Sequence, residues 1–168
     1  MTEVSINKQA RLSQHFTLGE LCKTSAKTQD GNIPSHVHIE NLKRLCGWLE
    51  MLRSEWNRRY ADVRCQNEDG RGVADEPIII NSGYRSSQLN KKIGGVSTSN
   101  HLTGCAVDIR CYGIEQAIRY ATILMDYADE SKEEFDELFI EKNKYGRYWV
   151  HFAVRPKENR RKICFLNG

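Results

Sequence analysis

The stretch Cys105-Ala106-Val107-Asp108-Ile109-Arg110-Cys111 constrains this chain more than any other. Cys105, Val107 and Ile109 alternate with Ala106, Asp108 and Arg110, which predicts a β-strand with one apolar face and one polar face. The polar face puts a carboxylate in the middle of what should be an inner strand. An unpaired buried carboxylate is costly, so the fold has to bring it an arginine, a metal ion or several backbone donors. Any architecture that accepts this strand must provide such a partner.

The elements around it follow from periodicity. Ile39, Leu42, Leu45, Cys46, Leu49, Leu52 and Trp56 recur at three- and four-residue steps and predict a helix over 35–60. Thr17 and Glu20 have capping-box spacing, with Phe16 and Leu21 at staple positions, so a short helix starts there. Ile114, Ala117, Ile118, Ala121, Leu124 and Met125 mark another amphipathic helix. Pro77 opens the β-branched run Ile78-Ile79-Ile80, and strands are expected at 137–141 and 148–154, joined by a hairpin over 142–147. A last short strand is expected around Ile163, Cys164 and Phe165, and 61–76 reads as a surface loop. Helices first, then strands with one helix inserted, give an α+β fold: a small antiparallel sheet flanked by helices. With no repeat in its 168 residues, the chain reads as a lead-in over 1–15 and a single domain over 16–168.

Composition narrows the classes of function. Apolar residues at 39% and charged residues at 28% argue against wholesale disorder, and no apolar run approaches the roughly 20 residues that cross a bilayer. No stable membrane insertion is expected. The net charge of +3 is dispersed apart from the run 155–162, so no nucleic-acid partner is indicated, and that run reads as a solvated charged tail. The six cysteines contain no C-x-x-C pair and read as small core hydrophobes. The first residues lack the apolar core of a secretory signal, which predicts cytoplasmic synthesis.

Of the five histidines, His15, His36 and His38 read as surface or capping side chains. His101 lies in a run of small polar residues and glycine, 97–104, ahead of the Asp108 strand. His151 alternates with Trp149 and Ala153 on its strand, opposite Tyr148, Val150, Phe152 and Val154. Two neutral imidazoles and one carboxylate give zinc three ligands and leave a fourth position open, which is the composition of catalytic sites. Periodicity alone favours an ion pair of Asp108 with Arg85 or Arg110, with no metal bound.

The local words separate these readings. Ser82-Gly83-Tyr84-Arg85-Ser86, Leu89-Asn90, Ile93-Gly94-Gly95, Ser99-Asn100-His101, Gly104, Ala106, Asp108 and Trp149-Val150-His151 occur in that order. Together they resemble the zinc D-alanyl-D-alanine carboxypeptidase family, in its carboxypeptidase and phage endolysin branch; Phe16-Thr17-Leu18-Gly19-Glu20-Leu21 is similar to that branch's N-terminal segment. The resemblance implies the zinc D-Ala-D-Ala peptidase fold, which is hedgehog signalling domain-like, and zinc held by His101, Asp108 and His151. It implies that Arg85 holds the substrate carbonyl oxygen or the anionic intermediate and that Ser99 lies beside the bound peptide. For Gly83, Gly94 and Gly95, backbone roles in turns are expected.

One position departs from the family pattern. Many members carry the catalytic Glu or Asp three residues before the last zinc histidine, and here that residue is Tyr148, a poor proton acceptor that suits donation to a substrate oxyanion. Hairpin geometry offers Glu141 as the general base: in the register that pairs it with Trp149 it shares a face with His151, and a slip of one residue removes it. Glu137 is the next candidate, and the absence of a competent base is the remaining one. The expected function is zinc-dependent hydrolysis of peptidoglycan stem peptides, at or near D-alanine, by metal-activated water in a monomer. The alternatives are a catalytically impaired zinc-containing domain that binds cell-wall peptide, and an interaction protein without metal. Like phage endolysins, such an enzyme would reach the wall by lysis or holin-like export.

Overall fold

Helix boundaries follow the caps. In the computed structural model, which describes residues 7–61 and 75–167, Thr17 and Glu20 close the capping box that starts α1 (Leu18–Leu21). Ser35 and His38 form a second box that starts α2 (His36–Trp56), so His38 is a capping side chain as expected. His36 is exposed and His15 pairs with Glu50 at 2.6 Å. A π-helical turn, Asn57–Ala61, continues α2. The chain then runs through β1 (Ile80–Ser82), α3 (Ser87–Lys92), a 3-10 turn (Asn100–Thr103), β2 (Ala106–Arg110), α4 (Ile114–Ser131), β3 (Glu137–Lys142), β4 (Tyr148–Ala153) and β5 (Lys162–Asn167). The short α3 is not predicted by the sequence pattern, and the 3-10 turn lies in the run 97–104 of small polar residues and glycine.

The five strands form one sheet in the order β1-β2-β4-β3-β5. β1–β2, β2–β4 and β3–β4 pair antiparallel, but β5 pairs parallel with β3. The expected all-antiparallel sheet is therefore a mixed one. After β4 the chain turns back past β3 rather than adding a strand beside β4. Backbone bonds from Arg161 to Phe135 (3.0 Å) and from Lys162 to Asp136 (2.9 Å) set β5 alongside the start of β3. A hairpin pattern fixes the pairing of its own two strands, and nothing local in 162–167 says on which edge that strand will dock.

Alternation divides the sheet. Val107, Ile109, Leu138, Ile140, Val150 and Phe152 are buried and share one core with the apolar stripe of α2 and the Ala117, Tyr120, Ala121 and Leu124 face of α4. Trp48 of α2 meets Phe152 at 5.2 Å and Phe135 at 6.4 Å between ring centroids. The opposite face carries Asp108, His151, Phe139, Glu137 and Glu141.

Residues 7–15, the expected lead-in, lie against the domain: Lys8 and Ala10 accept backbone bonds from Gly19 and Leu18, and Ala10 and Leu12 pack on the core. Of the expected loop, Asp75 and Glu76 are tied to Arg53 and Trp56, while 62–74, including Cys65, lie outside the described residues. Cys22, Cys46, Cys105 and Cys111 are buried free thiols, and burial pushes Cys111 up to about 12. Among the described residues no helix is long and apolar enough to cross a membrane.

Candidate metal centre

Two neighbouring strands bring a carboxylate and an imidazole together directly. Asp108 of β2 and His151 of β4 are cross-strand partners, and Ser82 and Phe139 extend the same row on either side. His101 arrives from the 3-10 turn, which Ser99 caps with its hydroxyl (3.3 Å to the His101 N–H) and Gly104 ends in the left-handed region at φ 71°. The Nδ1–H of His101 donates to the Gly83 carbonyl at 2.7 Å. Gly83 can present that carbonyl because it has no side chain: a Cβ there would lie 2.3 Å from the Leu21 carbonyl oxygen. Gly94 fills a turn at φ 76°, also a backbone role.

The three side chains converge on one oxygen. Asp108 Oδ1 lies 3.3 Å from His101 Nε2 and 3.0 Å from His151 Nδ1, and the ligand atoms of all three residues lie within 4.8 Å of one another. All three residues are buried. With the Nδ1 proton on Gly83, a neutral His101 turns the lone pair of Nε2 towards the carboxylate. Two acceptors then face each other, an arrangement that a cation relieves. Tetrahedral zinc with bonds of about 2.0–2.1 Å spaces its ligand atoms about 3.3 Å apart, so the donor set fits in type and in spacing.

The second oxygen of Asp108 belongs to Arg85. Its Nη2 donates to Oδ2 at 2.6 Å, and its Nε donates to Ser82 Oγ at 2.9 Å. The ion pair and the metal-type cluster, set against each other by the sequence, coexist because the carboxylate has one oxygen for each. Arg110 bonds Asn81 instead.

The sequence matches the family model described as Peptidase M15 over residues 65–144. It is also similar to the zinc D-Ala-D-Ala carboxypeptidase of Streptomyces albus G, 43% identical over 37 residues that make up 22% of this chain and 14% of that protein. Just under half of the chain is therefore similar to the M15 peptidases. The M15 match takes in Arg85, His101, Asp108, Glu137 and Glu141 and stops short of His151, which joins the centre through the pairing of β4 with β2. The stretch shared with the curated relative spans only about one-seventh of that protein's length.

Electrostatics follow from burial and from these partners. Burial opposes the charge of Asp108, but His101, His151 and their hydrogen bonds outweigh it and hold the carboxyl far below its ordinary range. Burial lowers His101, which is therefore neutral. Burial alone would lower His151 too, yet hydrogen bonds to Asp108 and Glu137 raise it to about 9. Without a bound metal His151 is thus an imidazolium at neutral pH and must lose a proton before it can act as a ligand. Zinc binding at pH 7 is expected to release about one proton, and affinity should rise about tenfold per pH unit from about 7 to 9 and then level off. Calorimetry in buffers of different ionisation enthalpy measures the proton count; binding independent of both buffer and pH would contradict it.

The remaining residues singled out by the sequence are placed as follows. Glu141 pairs with Trp149, the register that puts it on the face of His151. It is half-buried, makes no hydrogen bond or ion pair among the described residues, and is pushed up by burial and by the negative charge of Asp108. Ser99 is half-buried with its hydroxyl on the His101 backbone. Tyr148 is not brought to the centre: three residues from His151 along a strand it faces the other way, packing against the core, with the Lys142 ammonium 5.5 Å from its ring. Glu137 bonds the second nitrogen of His151 at 3.1 Å. Sequence reasoning put Glu137 on the right face but missed its own partners, Asn100 and Arg160, which come from 37 and 23 residues away.

Proposed function

We propose that this chain is a zinc-dependent peptidase that hydrolyses peptide bonds of peptidoglycan stem peptides, at or near D-alanine. The observation that carries this reading is the convergence of His101 Nε2 and His151 Nδ1 on one oxygen of Asp108 in a chain whose residues 65–144 match the Peptidase M15 model. The choice of zinc and of D-alanine draws on the similarity to the Streptomyces albus G enzyme, whose name states both. His101, Asp108 and His151 would hold the ion, which when bound would supply Lewis-acid chemistry and lower the pKa of water.

This chain's own groups supply the rest. Glu141, without a hydrogen-bond or ion-pair partner among the described residues and on the same face, takes the proton from the attacking water and returns it to the leaving amine. Its raised pKa suits both halves of that task better than an ordinary carboxylate. Arg85 orients Asp108 through Oδ2, and its permanent charge beside the centre stabilises the oxyanion. Purified muropeptides incubated with the protein test the reading. Cleavage is expected with zinc, is lost on chelation, and is lost in His101→Ala; undiminished cleavage by His101→Ala would contradict it.

A further inference from the structure

We propose that Arg160, in the segment between β4 and β5, is a positioning residue for the metal centre: it fixes the Glu137 carboxylate, and Glu137 holds the His151 ring with Nδ1 turned towards His101 and Asp108. The inference rests on the metal ligands assigned above. A histidine that binds a metal through Nδ1 carries its proton on Nε2, and that N–H needs an acceptor to keep the ring from turning over. Glu137 Oε2 lies 3.1 Å from Nε2 and is that acceptor.

Glu137 is itself held at both oxygens. Asn100 Nδ2 donates to Oε2 at 3.0 Å and Arg160 Nη2 to Oε1 at 2.7 Å. Arg160 is anchored in turn on the fully buried carboxylate of Asp136, through Nε (2.8 Å), Nη2 (2.7 Å) and its own backbone N–H (3.1 Å). A guanidinium can grip one carboxylate with its fork while the outer nitrogen reaches a second; an ammonium has no fork to do both. The side chain is 52% exposed, yet it is fixed by what it grips. The run 155–162, expected to be a solvated tail, therefore has an anchored member. The parallel docking of β5 has a consequence here as well, since it carries Arg160 over the start of β3, where Asp136 and Glu137 stand side by side.

Zinc affinity, measured on chelator-stripped protein by competition with a chromophoric chelator, tests this without any peptide substrate. Glu137→Ala should weaken zinc binding about 10–100-fold and Arg160→Ala about tenfold. The double variant should bind no more weakly than Glu137→Ala alone, because Arg160 acts only through Glu137. Arg160→Lys keeps a positive charge near Asp136 and guards against a fold lost through the alanine change; thermal unfolding confirms that it is folded, and its zinc affinity should still fall. Wild-type affinity in folded Arg160→Lys, or a full further loss when Arg160→Ala is added to Glu137→Ala, would overturn the inference and leave the proposed function standing. Failure of the wild-type protein to take up zinc would overturn both.

Discussion

Glu141→Gln should lower the turnover of peptide hydrolysis by about 100- to 10,000-fold while leaving zinc affinity at the wild-type value. The substitution keeps the size and polarity of the side chain and removes only its capacity to accept a proton. Glu141 is suited to that capacity because nothing else claims it: its half-buried carboxylate has no hydrogen-bond or ion-pair partner among the described residues. Its ordinary affinity for a proton is enhanced by burial and by Asp108, so it is a stronger base than a solvated glutamate. The contrast with Glu137 makes the result informative. Glu137 is held by His151, Asn100 and Arg160, and the hydrogen bond from His151 lowers its carboxyl, so its loss should register in metal affinity. Steady-state kinetics on a D-alanine-containing stem peptide, with zinc content measured on the same samples, separate the two. Wild-type turnover in Glu141→Gln would assign the base elsewhere.

Asp108→Ala should abolish stoichiometric zinc binding and destabilise the metal-free protein by about 3–5 kcal/mol, the range seen when one partner of a buried ion pair is removed. The side chains of Arg85 and Asp108 are only 15% and 12% exposed, so the guanidinium would be left close to a cationic His151 with its carboxylate gone. The sign of the pH dependence is fixed by the direction of the shift. The Asp108 carboxyl lies below its unfolded value, so its contribution is complete above about pH 4 and is lost as pH falls towards the folded-state value. Denaturant unfolding in the presence of chelator should therefore show a gap between wild type and variant at pH 6–7 that narrows in acid. An equal stability at neutral pH would mean that Asp108 and Arg85 are not the coupled pair described above.

What the sequence made legible was local. A period of two fixes which residues share a face, so the strand around Asp108 and the orientation of His151 were readable from alternation, while the hairpin left Glu141 opposite Tyr148 or Trp149 and the structure selects Trp149. The same period placed Tyr148 away from His151, and in the structure it overrides the spacing of the family motif. The unreadable parts depend on where distant segments dock. The parallel edge strand, the Arg160 grip on Asp136 and Glu137, and the Gly83 carbonyl that orients His101 each join residues at least 18 positions apart with no periodic signal between them. The short α3 and the 3-10 turn escaped because a helix of one or two turns buries too few side chains to leave a stripe.

A crystal structure of the zinc-loaded protein, with diffraction recorded at the zinc absorption edge, addresses the central claim most directly. It should show one strong anomalous peak about 2.0–2.2 Å from His101 Nε2, Asp108 Oδ1 and His151 Nδ1, with the fourth position open towards Glu141. A peak bound by other residues, or Asp108 still held by Arg85 with no metal between the histidines, would contradict it.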